Sequence, residues 1–102
     1  MADSELILKD MTVLVVDDEA DVSRGLTEFL CEQGYSAEAA VGGADAVSRL
    51  GKARFDLVVS DIRMPDMDGV QLRRKIKAEW PAAEVILMTA YGSKESAIEA
   101  LR

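Results

Sequence analysis

The chain has 102 residues and a formal net charge of −7, with 49% hydrophobic and 30% charged residues, a balance typical of one folded domain and not of a disordered segment. The acidic excess argues against a nucleic-acid-binding face in this segment, which would need clustered positive charge, and is compatible with a site that takes up a cation. The sequence has no histidine and a single cysteine, Cys31, which excludes a histidine metal site and an internal disulfide and favours a cytoplasmic setting.

Residues 1–10 mix charged and aliphatic side chains, and we predict that they form an N-terminal leader before a domain at 11–102. They lack the long apolar core of a signal peptide, and no apolar run in the chain is long enough to span a membrane. A valine-rich run at 11–16 predicts the first strand, which ends abruptly at Asp17 and Asp18. Apolar residues at helical spacing then predict a helix that Gly34 ends.

The rest of the chain repeats this strand–helix pattern. Residues 35–40 predict a weak strand near an edge, and a short helix follows at 44–50. The apolar run at 56–61 predicts a strand buried on both faces, followed by a helix between Gly69 and Pro81. Residues 84–88 predict a fourth strand, and Ser93 is predicted to begin a last helix. The alternation predicts an α/β fold with right-handed crossovers and a doubly wound parallel sheet, in the flavodoxin-like strand order 2-1-3-4.

In this strand order, acidic side chains meet at one edge of the sheet. The first and third strands are neighbours, so Asp17 and Asp18 converge with Asp61, and Thr89 follows the fourth strand at the same edge. Crowded carboxylates repel one another, and a hard divalent cation such as Mg2+ relieves that repulsion. An aspartate beside such a cation can attack a phosphoryl donor and form an aspartyl phosphate.

Three motifs, each at the end of a predicted strand, carry a family resemblance. They read Val-Val-Asp-Asp-Glu at 15–19, Ser-Asp-Ile-Arg-Met-Pro-Asp-Met-Asp-Gly at 60–69 and Met-Thr-Ala-Tyr-Gly at 88–92. Together they resemble the receiver domain of bacterial two-component response regulators, over residues 11–102. Residues 89–93 and the following helix most resemble receivers attached to sigma-54-dependent transcription activators.

The resemblance implies a phosphorylation-controlled signalling domain that receives a phosphoryl group from a sensor histidine kinase, with Mg2+ as cofactor, and switches conformation to control an output such as transcription. It implies no enzyme beyond self-phosphorylation and autodephosphorylation. The implied phosphoacceptor is Asp61 and the implied switch hydroxyl is Thr89. The implied metal ligands are Asp17, Asp18, Asp61 and the backbone carbonyl of Arg63.

The sequence departs from the family pattern at its C-terminal end. The resemblance implies a fifth strand and helix and a lysine that contacts the phosphoryl group, and none of them lies within residues 1–102. We therefore expect an incomplete sheet and impaired phosphotransfer. We also expect self-association through the edge of the fourth strand or an uncovered apolar face beside the first helix. The alternative function is a truncated or pseudo-receiver that acts as a phosphorylation-independent interaction or dimerisation module.

Other interpretations of the same residues stay open. Asp17 and Asp18 are also typical of a helix start, Asp61 of a loop cap and Thr89 of an ordinary strand end. Residues 66–69 read Asp-Met-Asp-Gly, but a calcium loop needs more ligands, so we interpret them as a turn and helix cap. A magnesium-dependent phosphohydrolase is disfavoured, because no second carboxylate stands two residues after Asp61 to act as acid and base.

Overall fold

The computed structural model describes residues 11–88. Along the chain the elements are β1 (Thr12–Asp17), α1 (Ala20–Glu32), β2 (Ser36–Val41), α2 (Gly43–Leu50), β3 (Leu57–Asp61), α3 (Gly69–Glu79) and β4 (Glu84–Met88). The strands form one parallel sheet in the order β2-β1-β3-β4, which confirms the predicted fold class and strand order. The predicted leader, the helix predicted from Ser93 and Thr89 lie outside the described residues.

The strand boundaries agree with the sequence pattern to within one residue. The difference that matters most for the acidic residues is at the end of β1. The pattern predicted that this strand stops at Val16, but Asp17 is its last residue. The reason is that parallel pairing with β2 continues for one more step, with Asp17 opposite Val41. The first carboxylate of the acidic group is therefore held by the sheet itself.

Helices cover both faces of the sheet, because side chains along each strand alternate between the two faces. On one face, Val13 and Val15 of β1 pack with Leu30 of α1. On the other face lies the larger apolar cluster, which includes Leu14, Val16, Val58, Leu50, Leu72 and Ile76. These last three side chains come from α2 and α3, so the sheet has α1 on one side and α2 and α3 on the other.

The apolar stripe of α1 is only partly buried. Leu30 is 8% exposed, whereas Val22 and Phe29 are 41% and 45% exposed. By contrast, the inward residues of α3 are covered, since Leu72 and Ile76 are fully buried. Between residues 11 and 88 there is no helix long and apolar enough to cross a membrane.

Candidate acidic site

The pairing register of β1 and β3 sets two carboxylates side by side. Val16 is opposite Ser60, so the next residue of each strand, Asp17 and Asp61, stands at the carboxyl edge of the sheet. Asp18 follows directly on the exposed side. One carboxylate oxygen from each of these three residues lies within 4.8 Å of the other two. The structure thus brings together the three aspartates that the sequence singled out.

Asp17 is the buried member of this group. Its residue is 6% exposed, and its Oδ1 accepts a hydrogen bond of 2.9 Å from the Glu19 backbone N–H. Burial, with smaller contributions from the charges of Asp61 and Asp18, raises the pKa of Asp17 to about 6 against the opposing effect of the Glu19 hydrogen bond. A cation held between these carboxylates would reverse this effect, and three hard oxygen donors are the chemistry that Mg2+ prefers.

Asp61 is half-buried at the end of β3, where its side chain faces the loop at 62–68. Its Oδ1 accepts a hydrogen bond of 3.4 Å from the Arg63 backbone N–H. Beside the acidic group lies an open cleft of about 540 Å³, lined by Asp18, Ile62, Arg63, Met64, Pro65, Asp68 and Val70. The site can therefore be reached from solvent on the side of this loop.

Gly69 allows α3 to begin directly against the end of β3. Its backbone N–H donates a hydrogen bond of 2.7 Å to the Ile62 carbonyl. A Cβ atom at this position would lie 2.5 Å from the Asp61 carbonyl oxygen and 2.9 Å from the Ile62 Cα. Only glycine fits without moving the backbone that carries Asp61.

Asp68 caps α3, as the turn-and-cap interpretation of residues 66–69 predicted. The Gln71 N–H donates to Asp68 Oδ1 at 2.8 Å, and the Asp68 N–H donates to Gln71 Oε1 at 3.1 Å. This reciprocal pair is a capping box, which satisfies two backbone donors at the start of the helix. The Asp68 carboxylate is therefore engaged with α3 and does not join the acidic group.

Asp66 makes contacts that the sequence analysis missed. Its Oδ1 accepts from the Gly43 N–H at 3.2 Å and its Oδ2 from the Ala44 N–H at 2.9 Å, so it joins the loop at 62–68 to the start of α2. These N–H groups, that of Ala44 above all, hold the pKa of Asp66 below its usual value. The available signal was the pair Gly42 and Gly43, which marks a place where another chain segment approaches closely.

Comparisons with known proteins agree with this geometry. A family model described as the response regulator receiver domain matches residues 13–102. The chain belongs to the response regulator receiver family. The transcriptional regulatory protein ZraR of Salmonella typhimurium is 39% identical over 97 residues, which are 95% of this chain and 22% of that protein. The regulatory protein AtoC of Escherichia coli is 40% identical over 90 residues, which are 88% of this chain and 20% of that protein.

Solved receiver structures have the same fold. A response regulator receiver protein from Pseudomonas putida matches with a TM-score of 0.76 and 31% identity, over 90% of this chain and 78% of that chain. The response regulator TrrA from Thermotoga maritima, in complex with Mg2+ and BeF, matches with a TM-score of 0.74 and 34% identity, over 88% of this chain and 80% of that chain.

The receiver spans about a fifth of the length of these curated relatives. Both names describe regulatory proteins, and that of ZraR a transcriptional one, which agrees with the resemblance to receivers of transcription activators. Receiver domains are signalling modules of two-component systems, and phosphorylation and Mg2+ are typical of the family.

The described part of the receiver ends one residue before Thr89. Met88 is the last residue of β4 and lies opposite Asp61, and its carbonyl accepts a hydrogen bond of 3.1 Å from the Ile62 N–H. The third strand, its loop and the fourth strand therefore meet at the acidic edge. The switch role of Thr89 stays a prediction.

Proposed function

We propose that this chain is the phosphorylation-controlled receiver domain of a response regulator, with Asp61 as the residue that accepts the phosphoryl group from a sensor histidine kinase. The observation that supports this most directly is the convergence of Asp17, Asp18 and Asp61 within 4.8 Å at the carboxyl edge of a receiver-type sheet. The acceptor sits at the end of a buried strand, beside an open cleft through which a donor can approach.

In this proposal the carboxylates of Asp17, Asp18 and Asp61 and the backbone carbonyl of Arg63 hold Mg2+. The bound cation would offset the negative charge of the site and of the incoming phosphoryl group. The raised pKa of Asp17 supports the assignment, because this charge is poorly solvated without a cation. The complex of TrrA with Mg2+ and BeF supports it independently.

Phosphorylation then requires an ionised Asp61. One carboxylate oxygen attacks the phosphorus atom, and the bond from phosphorus to the imidazole nitrogen of the donor histidine breaks. The nitrogen keeps the electron pair of that bond and takes up a proton, and the product is an aspartyl phosphate. The Thr89 hydroxyl would donate to a phosphoryl oxygen and so favour a second conformation once the phosphoryl group is present.

The proposal extends to partners and setting. The receiver would bind its sensor kinase in the cytoplasm and control transcription through another part of a longer regulator, without contacting nucleic acid or membrane itself. Self-association through the β4 edge also stays a prediction. Within residues 11–88, β4 pairs on one side only, with β3, and an unpaired edge favours strand addition. Sedimentation over a range of protein concentrations measures it, and a monomer at the highest concentration would contradict it.

The experiment that tests the proposed function is a titration of the protein with Mg2+, followed by beryllium fluoride as a mimic of the phosphoryl group. Calorimetry reports binding, and the shift in the thermal unfolding temperature on ligand addition reports it by a second method. We expect the wild type to bind Mg2+ and to respond further to the mimic, and Asp61→Asn to lose the second response. The matched control is Asp21→Asn, which removes one charge from an almost fully exposed side chain of α1.

Both outcomes of this titration are informative. A response that Asp61→Asn abolishes and Asp21→Asn preserves supports the receiver function. If the wild type registers neither ligand by either method, the proposed function is wrong. The alternative, a phosphorylation-independent interaction module, would then take its place.

A further inference from the structure

Asp66 joins two parts of the chain that are far apart in sequence. It lies 22 residues after Ala44 and 23 after Gly43, yet each oxygen of its carboxylate accepts a hydrogen bond from one of these N–H groups. The N-cap position of α2 is occupied by Gly42, which has no side chain that could accept a hydrogen bond from the first N–H groups of the helix. Asp66 therefore caps α2 from the loop at 62–68.

The Gly42–Gly43 turn is shaped to receive this loop. Gly42 has a φ of +90°, and a Cβ atom there would lie 3.2 Å from Asp66 Oδ1. A Cβ atom at Gly43 would lie 2.8 Å from the Cβ of Met67. The absence of side chains at both positions is what lets Asp66 and Met67 approach the backbone of α2.

The Asp66 contacts lie on the loop that contains Arg63. On the strand side, Ile62 is fixed by backbone hydrogen bonds with Met88 and Gly69. In the middle, Met64 is buried against the larger apolar cluster, 7% exposed. Pro65 and Asp66 are exposed, so packing alone does not hold this part of the loop, and the two hydrogen bonds to α2 are its polar anchor.

We propose that Asp66 is a positioning residue for the metal site. Its carboxylate ties the loop at 62–68 to α2 and thereby fixes the direction of the Arg63 carbonyl relative to Asp17, Asp18 and Asp61. This inference rests on the proposed function, since it concerns how the proposed Mg2+ ligands are held. It adds a residue that touches neither the cation nor the phosphoryl group.

The test compares Mg2+ affinity, measured by calorimetry, in three variants. Asp66→Ala removes both hydrogen bonds, and we expect about tenfold weaker binding, the size typical when a group that supports a metal ligand is lost. Asp66→Asn removes the charge but keeps an oxygen that can cap the helix, so we expect most of the affinity to return. If Asp66→Ala does not fold, Asp66→Glu replaces it, because its longer side chain keeps the charge but cannot seat both oxygens on the same N–H groups.

The matched control is Asp45→Ala. Asp45 lies in the first turn of the same helix and also accepts a backbone hydrogen bond, of 2.9 Å from the Val41 N–H, but the polar partners of its side chain, Val41 and Arg49, lie outside the loop at 62–68. We expect its Mg2+ affinity to equal that of the wild type. Amide hydrogen exchange provides a readout that needs no metal. In Asp66→Ala the amides of Gly43, Ala44, Arg63 and Met64 should exchange faster, and in Asp45→Ala those of Arg63 and Met64 should not.

The outcomes separate this inference from the proposed function. If the wild type binds Mg2+ and Asp66→Ala binds it equally well, the positioning role is wrong and the receiver function stands. If Asp66→Asn weakens Mg2+ binding as much as Asp66→Ala while its Arg63 and Met64 amides exchange as in the wild type, the charge and not the tether is responsible, which also overturns the inference. If the wild type binds no Mg2+, both the proposed function and the positioning of a metal ligand fail.

Discussion

The two loops that follow β1 and β3 at the acidic edge are built in opposite ways. The turn between β1 and α1 is short, and α1 begins at Ala20 after Glu19, which makes no side-chain cap. The loop between β3 and α3 is longer and is held by a buried Met64, by the Asp66 tether and by the Asp68 capping box. The first loop follows a buried charge and leads to a helix start without a side-chain cap, whereas the second follows an accessible carboxylate and is held by several side chains.

This difference matches what each loop would do in a receiver. Asp17 is buried and its pKa is raised to about 6, so a bound cation would stabilise the charge at the first loop most. In the proposed function Asp61 would meet a donor from solvent in a defined direction, so its loop would need a fixed backbone before any ligand arrives. The unfavourable burial of charge would thus lie on the proposed metal-binding side, and the fixed backbone on the side of the proposed acceptor.

Asp17→Asn should have the largest effect, and it tests whether the buried charge at the end of β1 is poorly solvated. We expect Mg2+ affinity to fall by about tenfold or more, because a proposed ligand loses its charge. We also expect the metal-free variant to melt at a higher temperature than the wild type, because a poorly solvated charge beside Asp61 and Asp18 is removed. Calorimetry and thermal unfolding measure the two effects, and Asp21→Asn is the control. A lower melting temperature for metal-free Asp17→Asn would contradict the conclusion that the charge of Asp17 is poorly solvated.

The pH dependence of the metal-free protein follows from the same carboxyl group. Its pKa is about 6 in the folded chain against an ordinary value of 3.8 for an aspartate side chain, so the folded state binds this proton more tightly than the unfolded state. The contribution of Asp17 to stability is therefore full below about pH 3.8 and is lost as the pH rises through about 6. Asp56 and Asp66, with lowered pKa values, act in the opposite direction, so the wild type must be compared with Asp17→Asn. Saturating Mg2+ should remove the difference.

A smaller effect tests the support of the Asp61 loop. Gly69→Ala would place a Cβ atom 2.5 Å from the Asp61 carbonyl oxygen, and we expect a loss of about 1–3 kcal/mol in the free energy of unfolding, since backbone must move. Gly25→Ala is the matched control in α1, where a Cβ atom meets nothing within 4 Å. It should gain roughly 0.5–1 kcal/mol, because alanine is the better helix former. Urea unfolding measures both, and equal changes would show that Gly69 is not tightly placed.

The sequence predicts the fold and most of the acidic site for physical reasons that the structure makes clear. Buried parallel strands are continuous apolar runs, so β1, β3 and β4 are visible as such, and their order brings Asp17, Asp18 and Asp61 together. The Asp66 tether is different, because a hydrogen bond to residues 22 and 23 positions away leaves no periodic signal. The exposure of Val22 and Phe29 also depends on what packs on α1, which helical spacing alone does not reveal.

The smallest expected effects come from substitutions at the two helix starts, which compare the capping of α3 with that of α1 directly. Asp68→Ala removes the carboxylate that accepts from the Gln71 N–H at 2.8 Å, and loss of such a cap costs about 1 kcal/mol. Glu19→Ala changes the N-cap residue of α1, whose side chain makes no capping hydrogen bond, so the free energy of unfolding should change by less than about 0.5 kcal/mol. Urea unfolding of the metal-free protein measures both. If the two substitutions cost the same, α1 is capped as well as α3, and the unequal support of the two loops is not a property of the receiver in solution. If only Asp68→Ala is costly, the loop behind Asp61 is the one whose backbone is fixed before a ligand binds.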